Sequence, residues 1–292
     1  MMKIACAAFV AIAAIGVAPW FTPEGFADSK SFSLTVQDHT VDIGAGLKYK
    51  ASTYGGTVPG PLLRVVQGTD VTIELTNHTS SAHGINVYAA QLAPDRFSGD
   101  PNAPVKYSFR AEVPGVFVYH CSAIPVLRHV ADGMYGMMIV DPSGGWPNGS
   151  AHEVTITQGE FYGKPGSGGV VIGNTQAMID SKPEFVVFDG AIDKYDVQHP
   201  IAIKVGELVR IFFVNAGPNL SSTFHVNGVI FSSVYRGGNP ADAAHELPSF
   251  EVGPGTGAVF EFRVREPGDY QFLDQAMAHP YKGAIGLFRA AK

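Results

Sequence analysis

Cysteine is nearly absent: the 292 residues hold two, Cys6 and Cys121, and Cys121 alone lies beyond the N-terminal stretch. A disulfide framework is therefore excluded, and the remaining thiol is either an inert core residue or is kept for its sulfur chemistry. Charge is sparse as well, at 16% of residues with a formal net of -6, and no Lys/Arg-rich block occurs. That pattern argues against nucleic acid as a partner. The N-terminal apolar run, Ile4–Val17, is about 14 residues long, short of the roughly 20 that a membrane span needs. With Lys3 before it and small residues near Ala27 after it, it reads as a secretory signal over 1–27. A retained membrane anchor is the competing reading. Signal removal would take Cys6 with it and leave an exported, periplasmic chain without a membrane span.

Glycine and proline, by contrast, are plentiful at 34 and 20 residues, and 46% of the chain is apolar. Frequent turn residues between short apolar runs describe many strands and a well-buried core. The chain is also written twice. Gly68–Asn77 alternates apolar Val71, Ile73 and Leu75 with polar neighbours, and Gly206–Asn215 repeats the Gly-to-Asn spacing. Each is followed by paired serines and a histidine, Ser80-Ser81 with His83 and Ser221-Ser222 with His225. Phe109-Arg110 before Pro114-Gly115 matches Phe262-Arg263 before Pro267-Gly268. Period-2 alternation with regular turns predicts an all-β chain of two tandem Greek-key β-sandwich domains, 28–142 and 151–292, joined through Pro142–Ser150. Helix signals are few, and Asn174–Ile179 is the best short candidate.

The chemistry concentrates around Cys121. His129 follows eight residues later and Met134 five beyond that, while His83 ends a strand well upstream. Two imidazoles and a thiolate with a weak axial thioether form a type 1, or blue, copper centre for electron transfer. The competing readings are a buried core cysteine with unrelated histidines and a zinc site, for which a thioether is a poor ligand. Gly84, directly after His83, has no side chain to buttress the loop, so support there must come from the backbone or elsewhere. The repeat places Asp274 where Cys121 stands, so the second domain has no thiolate for a centre of its own. Met137 and Met138 lie on a strand and are expected in the core. His39, His78, His152, His199 and His245 show no ligand spacing and are expected to face solvent or be locally hydrogen-bonded.

The run Tyr119-His120-Cys121 through Gly133–Val140 resembles the type 1 copper loop of copper-containing nitrite reductases, in the form with the shorter Cys-to-His loop. Thr57–Gly60, Ser221–Phe231 and Lys282–Gly286 resemble other segments of that family. The resemblance implies two cupredoxin domains, a homotrimer, and a second, type 2 copper held by three histidines from two subunits. His120 keeps one of those ligand positions, whereas Tyr88 and Gln275 stand at the other two, with His279 as a nearby substitute. Asn86 stands at the family's active-site aspartate, and His225 keeps its active-site histidine. Catalytic candidates are accordingly His225, Asn86 and Tyr88.

The expectation is an exported, trimeric electron-transfer protein with one type 1 copper per chain and a degenerate or remodelled type 2 site. It would exchange electrons with a c-type cytochrome or another cupredoxin. The alternatives are an active nitrite reductase, a reductase of another small molecule with an unorthodox type 2 site, and a structural subunit of a larger redox assembly.

Overall fold

The computed structural model describes residues 28–92 and 98–292. The segment read as an export signal, 1–27 with Cys6, lies outside the described residues.

The first half supplies strands β1 (Ser29–Gly44), β2 (Leu47–Tyr54), β3 (Leu63–Val66), β4 (Asp70–Asn77), β5 (His83–Gly84), β6 (Asn86–Val87), β7 (Ser98–Gly99), β8 (Val105–Arg110), β9 (Gly115–His120) and β10 (Tyr135–Asp141), with helix α1 (Val126–Ala131) between the last two. The second half supplies β11 (His152–Phe161), β12 (Val170–Val171), helix α2 (Thr175–Ile179), β13 (Phe185–Phe188), β14 (Ile201–Lys204), β15 (Val209–Asn215), β16 (Ser222–Val226), β17 (Ser233–Arg236), β18 (Ala243–Ala244), β19 (Ser249–Val252), β20 (Thr256–Phe262), β21 (Gly268–Asp274) and β22 (Ile285–Ala291).

These form two β-sandwiches. In the first, sheet β12-β2-β1-β4-β8 faces sheet β3-β10-β9-β6, and β5-β7 forms a separate ribbon. In the second, sheet β13-β11-β15-β20-β17-β18 faces sheet β14-β22-β21-β16-β19. Their cores are distinct: Leu34, Ile73, Tyr54 and Met138 fill one, and Phe213, Phe224, Phe260 and Phe272 the other.

The hydrophobic pattern follows from how each strand is covered. β4 alternates buried and part-exposed residues, as one core-facing side requires. Every residue of β15 is buried, because Ile211 and Phe213 enter the second core while Phe212 and Val214 pack on Val116, Val118 and Met137 of the first half. A continuous apolar run is what burial on both faces demands. The repeat is physical as well: Asn77 Nδ2 donates to Ser81 O at 2.7 Å, and Asn215 Nδ2 donates to Leu220 O at 2.7 Å. Each asparagine thus closes the loop that leads to its half's repeat histidine.

The connection after β10 is pinned by charge. Arg64 pairs with Asp141 and Glu153, and Trp146 Nε1 donates to Asp141 Oδ1 at 2.9 Å. Behind them lies the buried pair Arg210–Glu261 at 2.6 Å, with the Arg210 guanidinium 5.1 Å over the Trp146 ring. α2 forms where expected, its N-cap Asn174 accepting from Ala177 N at 2.9 Å. α1, by contrast, is a helix that the sequence reading did not anticipate. No helix among the described residues is long and apolar enough to cross a membrane.

Candidate metal centre

β9 and β10 run antiparallel, and the chain between them carries Cys121, His129 and Met134 back to one pole of the first sandwich. Backbone hydrogen bonds fix the three relative to one another. Met134 N donates to His129 O at 3.0 Å, and Cys121 N donates to Met134 O at 3.1 Å. His83 reaches the same pole from β5, which pairs with β7. Behind it, Tyr54 O–H donates to Gly84 O at 2.5 Å, so backbone and a buried tyrosine supply the support that the Gly84 side chain cannot.

Cys121 Sγ lies 3.6 Å from His83 Nδ1 and 3.3 Å from His129 Nδ1. The three donor atoms fall within 4.8 Å of one another, the one such His/Cys/Asp/Glu group among the described residues. Cys121 and Met134 are fully buried, His83 is buried, and His129 keeps partial exposure. Burial, reinforced by neighbouring His129, lowers the His83 pKa to about 4, and burial lowers that of His129. Both imidazoles are therefore neutral, with lone pairs free for a metal. Burial raises the Cys121 thiol, opposed by the N–H groups of Gly84 and Ala123 beside the sulfur. A metal ion here would take up the thiolate and release its proton. Two imidazole nitrogens, a thiolate and an adjacent buried methionine fit a soft, redox-active ion such as copper.

His120 points away from this cluster. Its Nδ1 lies 2.8 Å from Cys121 O and its Nε2 lies 3.1 Å from Tyr88 Oη. A carbonyl only accepts, so Nδ1 carries the ring hydrogen, Nε2 is the acceptor and the Tyr88 hydroxyl donates to it. The phenol ring meets the imidazole edge-on at 5.3 Å. Asn86 is the strand partner of His120. Beside the pair opens an apolar cavity of about 260 Å³, walled by Val118, Leu127, Val130, Pro218 and Pro254. His120, with Tyr88 bonded to its Nε2, thus sits at the edge of an apolar hollow.

The remaining candidates sit on the second sandwich. His225 Nδ1 donates to Pro248 O at 2.6 Å, and Gln275 N donates to Thr223 O at 2.8 Å. Among the described residues, no hydrogen bond or ring contact joins His225 or Gln275 to His120 or Tyr88 of the same chain. His279 is engaged through Nδ1, 2.6 Å from the fully buried Asp274. Asp274 also accepts from Thr223 N, Ala276 N and Gln158 Nε2. Burial alone would raise its pKa, but the bonds from His279 and the two amides hold it below the ordinary value. At the position equivalent to Cys121, a satisfied carboxylate thus fastens the loop that a metal centre would fasten in the first half.

Sequence reading missed two supports of the cluster: Tyr54 and the helical form of α1. The helix carried only a weak local signal, the i,i+4 spacing of Arg128 and Asp132 after Pro125.

Two stacked β-sandwiches with a His₂Cys cluster at the pole of the first define a two-domain, cupredoxin-type protein. Two family models, both described as multicopper oxidase, match residues 35–145 and 173–289. The copper-containing nitrite reductase of Neisseria meningitidis serogroup A is 36% identical over 261 residues, 86% of this chain and 67% of that protein. That of Alcaligenes faecalis is 27% identical over 296 residues, 91% of this chain and 77% of that protein. Among solved structures, copper nitrite reductase from Nitrosomonas europaea superposes with a TM-score of 0.83 at 34% identity, covering 91% of this chain and 95% of that one. The chain belongs to the copper-containing nitrite reductase family. It spans about two thirds of the length of the Neisseria relatives.

Proposed function

We propose that this chain is an exported electron-transfer protein with one type 1 copper, held by His83, Cys121, His129 and Met134, and with no working type 2 copper. The fit of the first site rests on its neutral imidazoles, its buried sulfur and three donor atoms, of His83, Cys121 and His129, already within 4.8 Å of one another. Bound copper supplies a one-electron couple. The protein supplies a rigid, water-poor frame, so that both oxidation states meet the same donors. The part-exposed His129 edge, on the same connection between β9 and β10 as Ile124 at 91% exposure, suits brief contact with a redox partner such as a c-type cytochrome or another cupredoxin.

The observation that carries the second half of the reading is the Tyr88 hydrogen bond on His120 Nε2. The nitrogen that the family resemblance assigns to a type 2 metal already accepts a proton donor. Tyr88, Gln275 and Asn86 stand where the resemblance implies two imidazoles and a carboxylate. An amide cannot relay a proton as a carboxylate does, and His279 meets Asp274 through Nδ1 alone, a bond that orients its ring without using Nε2. Periplasmic location, a homotrimer, and domain limits of 28–142 and 151–292 belong to the same reading. One observation favours the rival, a reductase of another small molecule: the apolar cavity of about 260 Å³ beside His120.

Metal counting with absorption spectroscopy tests the proposal. One copper per chain, a thiolate-to-copper band lost in Cys121→Ala, and no nitrite turnover with a reducing donor are expected. Two coppers per chain with nitrite turnover would overturn the single-centre reading, and a band that survives Cys121→Ala would overturn the site.

A further inference from the structure

His129 rides on a helix that cannot hold itself in place. α1 is six residues long and its N-cap, Pro125, makes no side-chain cap bond. Helices this short are unstable alone, so outside contacts must set their position. Those contacts converge on Asp132, the residue that ends the helix and is 7% exposed.

Each carboxylate oxygen of Asp132 is used. Oδ1 accepts from Tyr49 O–H at 3.0 Å, which ties the helix end to β2. Oδ2 accepts from Arg128 Nε one turn back. The Arg128 guanidinium then extends through Nη1 to Thr175 Oγ1 at 3.0 Å, the first residue of α2 in the second half. The backbone adds two more ties. Asp132 O accepts from Ser52 N at 3.1 Å, and Asp132 N donates to Arg128 O at 2.9 Å. Gly173, just before α2, lies so close that a Cβ there would collide with the Asp132 carboxylate and the Tyr49 hydroxyl. The second sandwich therefore reaches the helix that carries His129 through one aspartate and one arginine.

We propose that Asp132 is a positioning residue for the metal centre: by clamping α1 between β2 and α2 it fixes the direction of the His129 imidazole toward Cys121, and it lets the second sandwich set the geometry of a centre in the first. This rests on the assignment of His129 as a copper ligand, but the clamp itself does not need the metal.

Asp132→Asn is the direct test. An amide can still accept from Tyr49, but its NH₂ then faces Arg128 Nε–H, donor against donor, and the clamp opens on that side. In metal-free protein, exchange of the backbone amides of Arg128, His129 and Asp132 is expected to rise about tenfold, with the β15 amides unchanged. In copper-loaded protein, intensity should shift between the thiolate-to-copper absorption bands, since they report the ligand geometry around the sulfur. Thr175→Val, which removes only the cross-half leg, should give the same changes in smaller degree. It also serves should Asp132→Asn not fold. Unchanged exchange and an unchanged spectrum in a folded variant would overturn the proposal, as would acceleration spread equally over β15. A wild-type protein without the absorption band would sink the copper reading, and the exchange measurement would still decide the clamp.

Discussion

Removing one oxygen atom from Tyr88 separates a capped histidine from a metal-binding one. The phenol donates to His120 Nε2 across 3.1 Å at a part-exposed site. A neutral hydrogen bond of this kind contributes about 1 kcal/mol net. At that value the lone pair is free roughly one-fifth as often as it would be uncapped, and apparent affinity for a second ion falls by the same factor, about fivefold. Tyr88→Phe lifts this penalty while keeping the ring. It leaves the Cys121 centre untouched, because His120 Nδ1 still donates to Cys121 O. With the first site filled, copper titration followed by electron paramagnetic resonance should show weak second-ion binding about fivefold tighter in Tyr88→Phe. Tyr88→His should gain much more, since it adds a second imidazole. The reasoning fails if wild-type protein already holds a second copper through His120, or if Tyr88→Phe binds it no better than wild type.

Breaking the pair behind the inter-sandwich connection should be costly. Glu261→Gln leaves the Arg210 guanidinium, 2% exposed, without its nearest anion at 2.6 Å. A loss of about 3 kcal/mol is expected, read as a Tm lower by roughly 6–12 °C; a shift under about 2 °C would show that Glu153 and Gly149 suffice. Asp189 predicts a pH dependence. Burial lifts its carboxyl from 3.8 to about 6, against the hydrogen bonds from Tyr195 and Thr157 N. The folded state therefore holds this proton more tightly than the unfolded chain. Ionisation opposes folding above pH 6, and the penalty, roughly 3 kcal/mol at most, is relieved as pH falls from 6 toward 4. Asp189→Asn should raise Tm at pH 8 and flatten the stability profile between pH 4 and 6; a lower Tm at pH 8 would contradict this.

Much of the fold is legible because its strands are covered in two distinct ways. The alternation of Val71, Ile73 and Leu75 is what a strand with one buried face must show. The unbroken apolar run Ile211–Val214 is what a strand buried on both faces must show. The sequence reading stopped at α1 for an equally physical reason: six residues carry too little periodicity to announce a helix, and Pro125 reads as loop. The same limit hid the Asp132 clamp: its partner Tyr49 lies 83 positions away in sequence, and Thr175, the partner of Arg128, lies 47 from that arginine.

What the sequence determined by itself is the donor chemistry. One thiol spaced to His129 and Met134, a histidine at an upstream strand end, and a repeat that puts Asp274 in place of the thiol are all written in the chain. That positions 88 and 275 carry a phenol and an amide is likewise a statement about atoms that needs no fold. Tertiary structure decided which atoms meet. It turned both Nδ1 atoms toward the sulfur and gave His120 Nε2 to the Tyr88 hydroxyl. Donor type is a property of a residue, whereas a free lone pair depends on who has already been paired with it, and only the folded chain makes those pairs.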